Sequence, residues 1–332
     1  MTRRLHRRGV IAGEIRLPAV PGLTDEYVKM CQTIFTAVGR SFTPEEIVEL
    51  EANLRGQLTQ AFEASQRSDI VISYQAAVGT ALNYWVAPHS MTIEQAYEHW
   101  IATRQPPLFG TEPDARVWAL AGQATDPGDF PILDIGAGTG RNALPLARRG
   151  HPVDVVEMTA KFAETIRVES QRDSLNVRVL QRDVFASSVD LRHDYQLIVL
   201  SEVVPEFRSR DDLRAMFEIA AEHLTPSGAL VFNAFLAHRD FELDDAVREF
   251  AEQAYSNIFT WDEMTMAAAD LPLELAADDS VYEYESEHLP PGAWPPTPWY
   301  GEWVAGQDVF DVEREQCPNE MRWLVYRKAA GS

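Results

Sequence analysis

The sequence predicts an α/β protein built on a doubly wound, Rossmann-like sheet, preceded by a helical lid that contains a β-hairpin. Three observations lead there. Phe130 to Ile135 is an apolar run suited to a strand buried on both faces, and it turns through Gly136, Gly138 and Gly140. Pro145 is tolerated only in the first turn of a helix, so a helix must open near Arg141 and Asn142, with Gly150 as its stop. Val153 to Val156 is a second apolar run, and it ends on the carboxylate Glu157. Strand, glycine turn, helix and strand make the right-handed crossover of a parallel sheet.

In chain order, residues 1–20 read as a basic arm, MTRRLHRRGV with no apolar stretch behind it. From Thr24 to Val38, Tyr27, Met30, Cys31, Ile34, Phe35 and Val38 recur at helical spacing. Thr43-Pro44-Glu45-Glu46 is a capping box that opens a second helix, with Ile47, Leu50, Leu54, Leu58 and Phe62 on one face. Asp69 to Gln75 and Thr80 to Val86 are β-rich around Gly79, a hairpin that carries Tyr74 and Tyr84. Thr92 caps a further helix through Trp100, and Pro106-Pro107 closes an accessory region over residues 21–108. Whether Tyr74 and Tyr84 touch a substrate or fill the core of that region is open at this point.

Residues 109–332 hold the crossover unit and the remaining strands and helices of the sheet domain. Lys161 to Gln171 reads as a helix, Val177 to Leu180 as the third strand and Tyr195 to Leu200 as the fourth. Asp211 to Leu224 is amphipathic, Pro226-Ser227-Gly228 a turn, and Ala229 to Phe235 the fifth strand. Glu242 to Tyr255 reads as a helix, and Thr260-Trp261-Asp262-Glu263 caps another. Residues 286–318 form an insertion with five prolines between His288 and Trp299, too many for regular helix, and with Trp294, Trp299, Tyr300 and Trp303 close together. A connection this long is expected to be functional. Its aromatics could wall a cationic substrate or clamp the loop to the sheet.

The glycine spacing selects the ligand. Bare backbone at such a turn admits a nucleotide, and an acid at the tip of the second strand can accept from a ribose diol. A dinucleotide fold needs Gly-x-Gly-x-x-Gly, whereas here the third glycine comes one residue early, at Gly140. Asp134-x-Gly-x-Gly-x-Gly followed by Glu157 resembles motif I of the class I S-adenosylmethionine-dependent methyltransferases. The string from Gly140 to Glu157 is also similar to the small-substrate branch that includes the tellurite-resistance methyltransferases. The resemblance implies a seven-stranded sheet closed by an antiparallel pair, Leu273 to Glu285 and Met321 to Arg327, with the N-terminal segment roofing the active site. It implies S-adenosylmethionine held by Asp134, Gly136, Ala137, Gly138, Gly140, Asn142, Glu157, Met158 and Ser201. It also implies adenine recognition by Asp183, with Val184 or Phe185 packing on the ring.

The carboxyl ends of central strands bind ligands in open α/β sheets, so Ser201, Glu202 and Glu206 should face the pocket. Either glutamate could hold a cationic amine, accept a proton or cap the next helix. The segment lacks the Asp/Asn-Pro-Pro-Tyr of amino-methylating enzymes that act on bases or glutamine. His238, after the fifth strand, is the remaining candidate base. The absence of an obvious base, the acidic surface and the clustered Trp and Tyr of the insertion favour N-methylation of a small-molecule or peptide acceptor, with Tyr74, Tyr84, Trp299, Tyr300 and Trp303 as candidate substrate contacts. O- or S-methylation, or cofactor binding without turnover, are the alternatives. A net charge of −22 argues against nucleic acid, whose binding rests on Lys and Arg. No apolar run reaches membrane-spanning length, and Cys31 and Cys317 lack metal-ligand spacing, so a cytoplasmic protein with no metal is expected.

Overall fold

The computed structural model describes residues 9–65, 67–77, 82–91, 95, 101–104, 107–186 and 190–330. The chain forms two compact units: residues 1–103 with 243–253, and residues 104–242 with 254–332. Residues 1–8 of the basic arm, and all but Gln95 of the helix expected from Thr92 to Trp100, lie outside the described residues.

In the first unit, helices α1 (Thr24–Ala37) and α2 (Pro44–Ala64) form where the apolar spacing and the Thr43/Glu46 capping box put them. Phe35, Leu50, Leu54 and Leu58 are fully buried, and Val28 rather than Met30 completes the inner face of α1. The hairpin is β2 (Asp69–Ala77) and β3 (Asn83–His89). Val10–Pro18, expected within the arm, is a strand instead (β1) that pairs antiparallel with β2 from Val10↔Ala77 to Pro18↔Asp69. Alternating Ile15 and Leu17 supply its inward face, a pattern that the flanking arginines obscured. The helix Asp245–Gln253, distant in sequence, also belongs here. Its Gln253 side chain donates to the Ser68 carbonyl (2.9 Å), and its Glu252 carbonyl accepts from Arg67 Nη1 (2.6 Å).

The second unit is the doubly wound sheet. Strands β4 (Ile132–Ile135), β5 (Val153–Val156), β6 (Val177–Leu180), β7 (Tyr195–Leu200) and β8 (Leu224–Ala237) are parallel. A short β9 (Ile258–Phe259) pairs off β8, and β10 (Leu273–Ser280) and β11 (Asn319–Lys328) close the edge antiparallel. The order β10-β11-β8-β7-β4-β5-β6 makes the chain step outward from β4 through β5 and β6, then return to β7 on the other side. Between β4 and β7 lies the switch point where such sheets bind ligands beyond the strand ends. Every residue of β4 and β5 is buried, as a sheet covered on both faces requires. Two expectations are corrected. Leu273 to Glu285 does not stay extended: Ser280 accepts from the Glu283 N–H and starts a helix, Val281–His288. Within the proline-rich insertion, Tyr300–Val304 forms a short helix once the last proline of the run is passed.

Candidate active site

The site is built at the carboxyl ends of β4, β5 and β7. After β4 the backbone turns with positive φ at Gly136 (68°), Gly138 (54°) and Gly140 (87°). A Cβ at Gly136 would collide with Val203 Cγ2, and one at Gly138 would stand 3.4 Å from the Phe109 ring. Only glycine keeps this turn open for a ligand to lie on its main chain. Helix α3 (Ala143–Arg148) follows, with Pro145 in its first turn.

Glu157, at the tip of β5, is buried and holds the turn: its Oε2 accepts from the Gly138 N–H (2.9 Å) and its Oε1 from the Thr159 N–H (2.7 Å). Burial raises its pKa, against those hydrogen bonds. Met158, beside it, is 59% exposed. Asp183 follows β6, is exposed, and accepts from the Phe185 N–H (3.0 Å). Val184 packs on the core, and the Phe185 ring meets Phe207 edge-on at 5.4 Å.

Behind the turn lies a buried charge cluster. The Arg141 guanidinium pairs with Asp114 and with Glu202 (2.6 Å). Asp114 also accepts from Ser201 Oγ (2.7 Å) and Asn142 Nδ2 (2.8 Å), and its own N–H donates to Asn142 Oδ1 (2.9 Å). Glu285 accepts from the N–H groups of Ala115 (2.7 Å) and Arg116 (3.1 Å), which open a short helix, and from Trp323 Nε1 (2.9 Å). Asp134, at 1% exposure, has an Oδ2 atom with no protein partner.

Too many carboxyl groups share too few buried cations here. Burial, with Asp114 nearby, pushes Asp134 up to about 8, although Arg141 opposes the shift. Burial likewise raises Glu202 to about 7 against Arg141, and raises Glu285 to about 7 with help from Asp114. Burial alone would lower Arg141, but Asp114 and Glu202 hold its proton more tightly than usual. The site therefore prefers an added positive charge. Glu202 also holds a left-handed backbone (φ 61°), with its N–H donated to Asn233 Oδ1 (2.6 Å). A non-glycine residue there costs about 1–2 kcal/mol, a strain that the Asn233 bond and the Arg141 pair maintain.

Of the aromatics expected in the insertion, Tyr300 is buried with an unpartnered hydroxyl. Its pKa is raised well above normal by burial and then by Glu202 and Asp114, so it borders the cluster. Trp303 is anchored by Nε1 donation to Ser256 Oγ (3.0 Å) and by an edge contact with Phe235 (5.6 Å). Trp299 meets Trp303 edge-on at 5.5 Å and is tilted against Tyr300 at 5.9 Å. Tyr74 and Tyr84 pack on Phe35, at 5.4 and 5.6 Å, in the core of the first unit. Glu206 is half-buried on the turn Val204–Glu206, and His238 is exposed beyond β8, its N–H donated to the Pro318 carbonyl (2.8 Å). Sequence reasoning missed Arg141, Asp114, Glu285 and Phe109. Arg141 had a local signal, its place directly after Gly140; the other three reach the site only through the fold.

Residues 132–228 match a family model described as a methyltransferase domain. No curated protein matches the chain in sequence. Among solved structures, a geranyl diphosphate methyltransferase in complex with SAM is similar over 65% of this chain and 85% of its own, at 15% identity and a TM-score of 0.51. A putative sarcosine dimethylglycine methyltransferase from Galdieria sulphuraria is similar over 71% and 98%, at 14% identity and 0.50. A geranyl diphosphate C-methyltransferase from Streptomyces coelicolor A3(2) is similar over 65% and 76%, at 14% identity and 0.50. These likenesses are of fold. They give the second unit the α/β architecture of these methyltransferases, and the domain match over residues 132–228 falls within it.

Proposed function

We propose that this methyltransferase uses S-adenosylmethionine and transfers the methyl group to an amine of a small-molecule or peptide acceptor, in the manner of the small-substrate enzymes. The cofactor supplies a methyl group activated on a sulfonium. The residues present fit it: the cradle at Gly136 and Gly138 is one that a Cβ would fill, and Asp134 Oδ2 is buried without a protein partner. Glu157 would take the ribose, Met158 and Val184 the adenine faces, and Asp183 its amino group. Asn142 and Ser201 keep Asp114, and through it Arg141, in place beside the turn.

The observation that carries the amine is Glu202, buried against Arg141 and titrating near neutrality. An amine enters as an ammonium ion and must lose a proton before its lone pair can attack. A carboxylate whose pKa lies near 7 attracts the cation and accepts that proton. Tyr300 supports the same reading, because its hydroxyl can orient the acceptor while the indoles of Trp299 and Trp303 exclude water. The net charge of −22 favours a cationic acceptor over nucleic acid, and the two free cysteines, Cys31 and Cys317, suit a reducing, cytoplasmic setting. Among the described residues no helix is long and apolar enough to cross a membrane.

Supplying the purified chain with labelled cofactor and with panels of amine, hydroxyl, thiol and carbon acceptors tests the proposal. Label is expected on amines, with turnover reduced about 10²-fold or more in Glu202→Gln. Label confined to hydroxyl, thiol or carbon acceptors rejects the amine assignment.

A further inference from the structure

We propose a divalent transition-metal site formed by His193, His223 and Glu222, at the end of the sheet away from the glycine turn. Sheet register creates it. Tyr195 of β7 pairs with Leu224 of β8, so His193, two residues before Tyr195, is brought beside His223, one residue before Leu224. Both residues precede the amino ends of parallel strands, whereas Gly136 and Glu202 follow the carboxyl ends. The two imidazoles lie with centroids 4.5 Å apart and planes 25° apart. One ligand atom from each of the three residues falls within 4.8 Å of the others.

The surroundings are those of a metal ligand. His223 Nδ1 lies 2.7 Å from the Arg192 carbonyl, an acceptor, so Nδ1 carries the proton and Nε2 offers a lone pair. Such a bond from the second ring nitrogen commonly orients metal-bound histidine. Glu222 Oε2 stands 4.0 Å from that Nε2. The Arg192 side chain, which could have filled the site with positive charge, is engaged by both oxygens of Asp194, each at 2.8 Å. The Arg192 backbone is fixed in turn, because its N–H donates to the buried Tyr195 hydroxyl (3.3 Å), which donates to Asp154 (2.6 Å). The helix Arg210–His223 ends at the site, and a helix carboxyl end favours a cation.

Two imidazoles and a carboxylate suit Zn²⁺, Ni²⁺ or Cu²⁺ better than Ca²⁺ or Mg²⁺. Ligands about 2.0–2.1 Å from a tetrahedral zinc stand roughly 3.4 Å apart. The His223 side chain is 12% exposed and fixed, so the exposed His193 and Glu222 make the closing rotation. The metal would clasp the start of β7 to the junction between that helix and β8, remote from methyl transfer.

The test uses the full chain without an affinity tag, stripped by chelator and titrated with Zn²⁺ by calorimetry and with Co²⁺ by visible absorption. One equivalent is expected to bind, with cobalt bands of a low-coordinate nitrogen–oxygen site and a raised melting temperature. His193→Ala, at an exposed position, should keep the fold and methyl transfer but weaken binding by about tenfold or more, a loss that even outer-shell changes cause at built sites. Glu222→Gln should weaken it as well. Unchanged affinity in His193→Ala, or no saturable binding by the stripped wild-type chain, overturns the assignment.

Discussion

Replacing Gly136 by alanine tests whether the turn after β4 must be bare. The residue sits at φ 68°, where a side chain costs about 1–2 kcal/mol. Its Cβ would also overlap Val203 Cγ2, and relieving the overlap requires a movement of roughly 1 Å, comparable to overpacking that costs about 1–3 kcal/mol. The sum is about 2–5 kcal/mol, lost from folding stability, from cofactor binding, or from both. Gly39→Ala supplies the control, because φ there is 92° and nothing lies within 4 Å of the added methyl group, so only the conformational part is lost. Val203→Ala removes the colliding atom, so the double variant Gly136→Ala/Val203→Ala should recover about 1–3 kcal/mol relative to the sum of the single changes. Denaturant unfolding gives the stability part, and titration calorimetry with S-adenosylhomocysteine the binding part. If Gly136→Ala binds the cofactor product as tightly as the wild type and unfolds at the same denaturant concentration, or if Val203→Ala gives no recovery, the close approach is not what the turn is for.

The remaining predictions concern the charges behind that turn. Asp134, Glu202 and Glu285 have folded pKa values of about 8, 7 and 7, above their unfolded values, so the folded protein binds more protons than the unfolded chain between about pH 4.5 and 8. Stability without cofactor should therefore fall as pH rises through that window, by at most about 1.4 kcal/mol per pH unit per group; a melting temperature that climbs from pH 5 to 8 would contradict this. Asp173 and Asp194, whose partner arginines lower their pKa, act only at more acidic pH. Arg141→Met leaves Asp114 and Glu202 buried without their cation and should destabilise by about 3–5 kcal/mol, read by denaturant unfolding; a loss below 1 kcal/mol would mean that the cluster is wetter than its burial indicates. Glu157→Gln keeps one acceptor for two N–H donors and surrenders the charge. Binding of S-adenosylhomocysteine by calorimetry should weaken about 10- to 100-fold, with Met158→Ala, which touches neither donor, losing less.

The crossover unit was legible because its physics is local. The buried runs of β4 and β5, the glycine turn and the place of Pro145 each constrain only their neighbours, and the capping boxes at Thr43 and Thr260 marked helix starts on the same basis. The glycine turn and the carboxylate at the tip of β5 could be read for that reason. The charge cluster could not, since Asp114, Arg141, Glu202 and Glu285 come from four places in the chain and meet only once the strands are ordered. Two local readings failed for want of context. Val10–Pro18 looked like a basic arm because its pairing partner, β2, lies far downstream. Leu273 to Glu285 looked like one strand because the capping bond at Ser280 competes with extension only after the edge pairing has run out.

The helix Asp245–Gln253 belongs to a unit whose other residues all precede Arg104. During synthesis, the early part of the chain must wait for this late segment before the bonds that join Arg67, Ser68 and Gly22 to Glu252, Gln253 and Glu249 can form. At about 5–20 residues per second, the wait lasts on the order of 10–30 s. A fragment ending before residue 243 would never acquire those bonds, so the N-terminal unit is inherited whole or not at all, and dissecting the two by simple truncation will yield an unfinished fold.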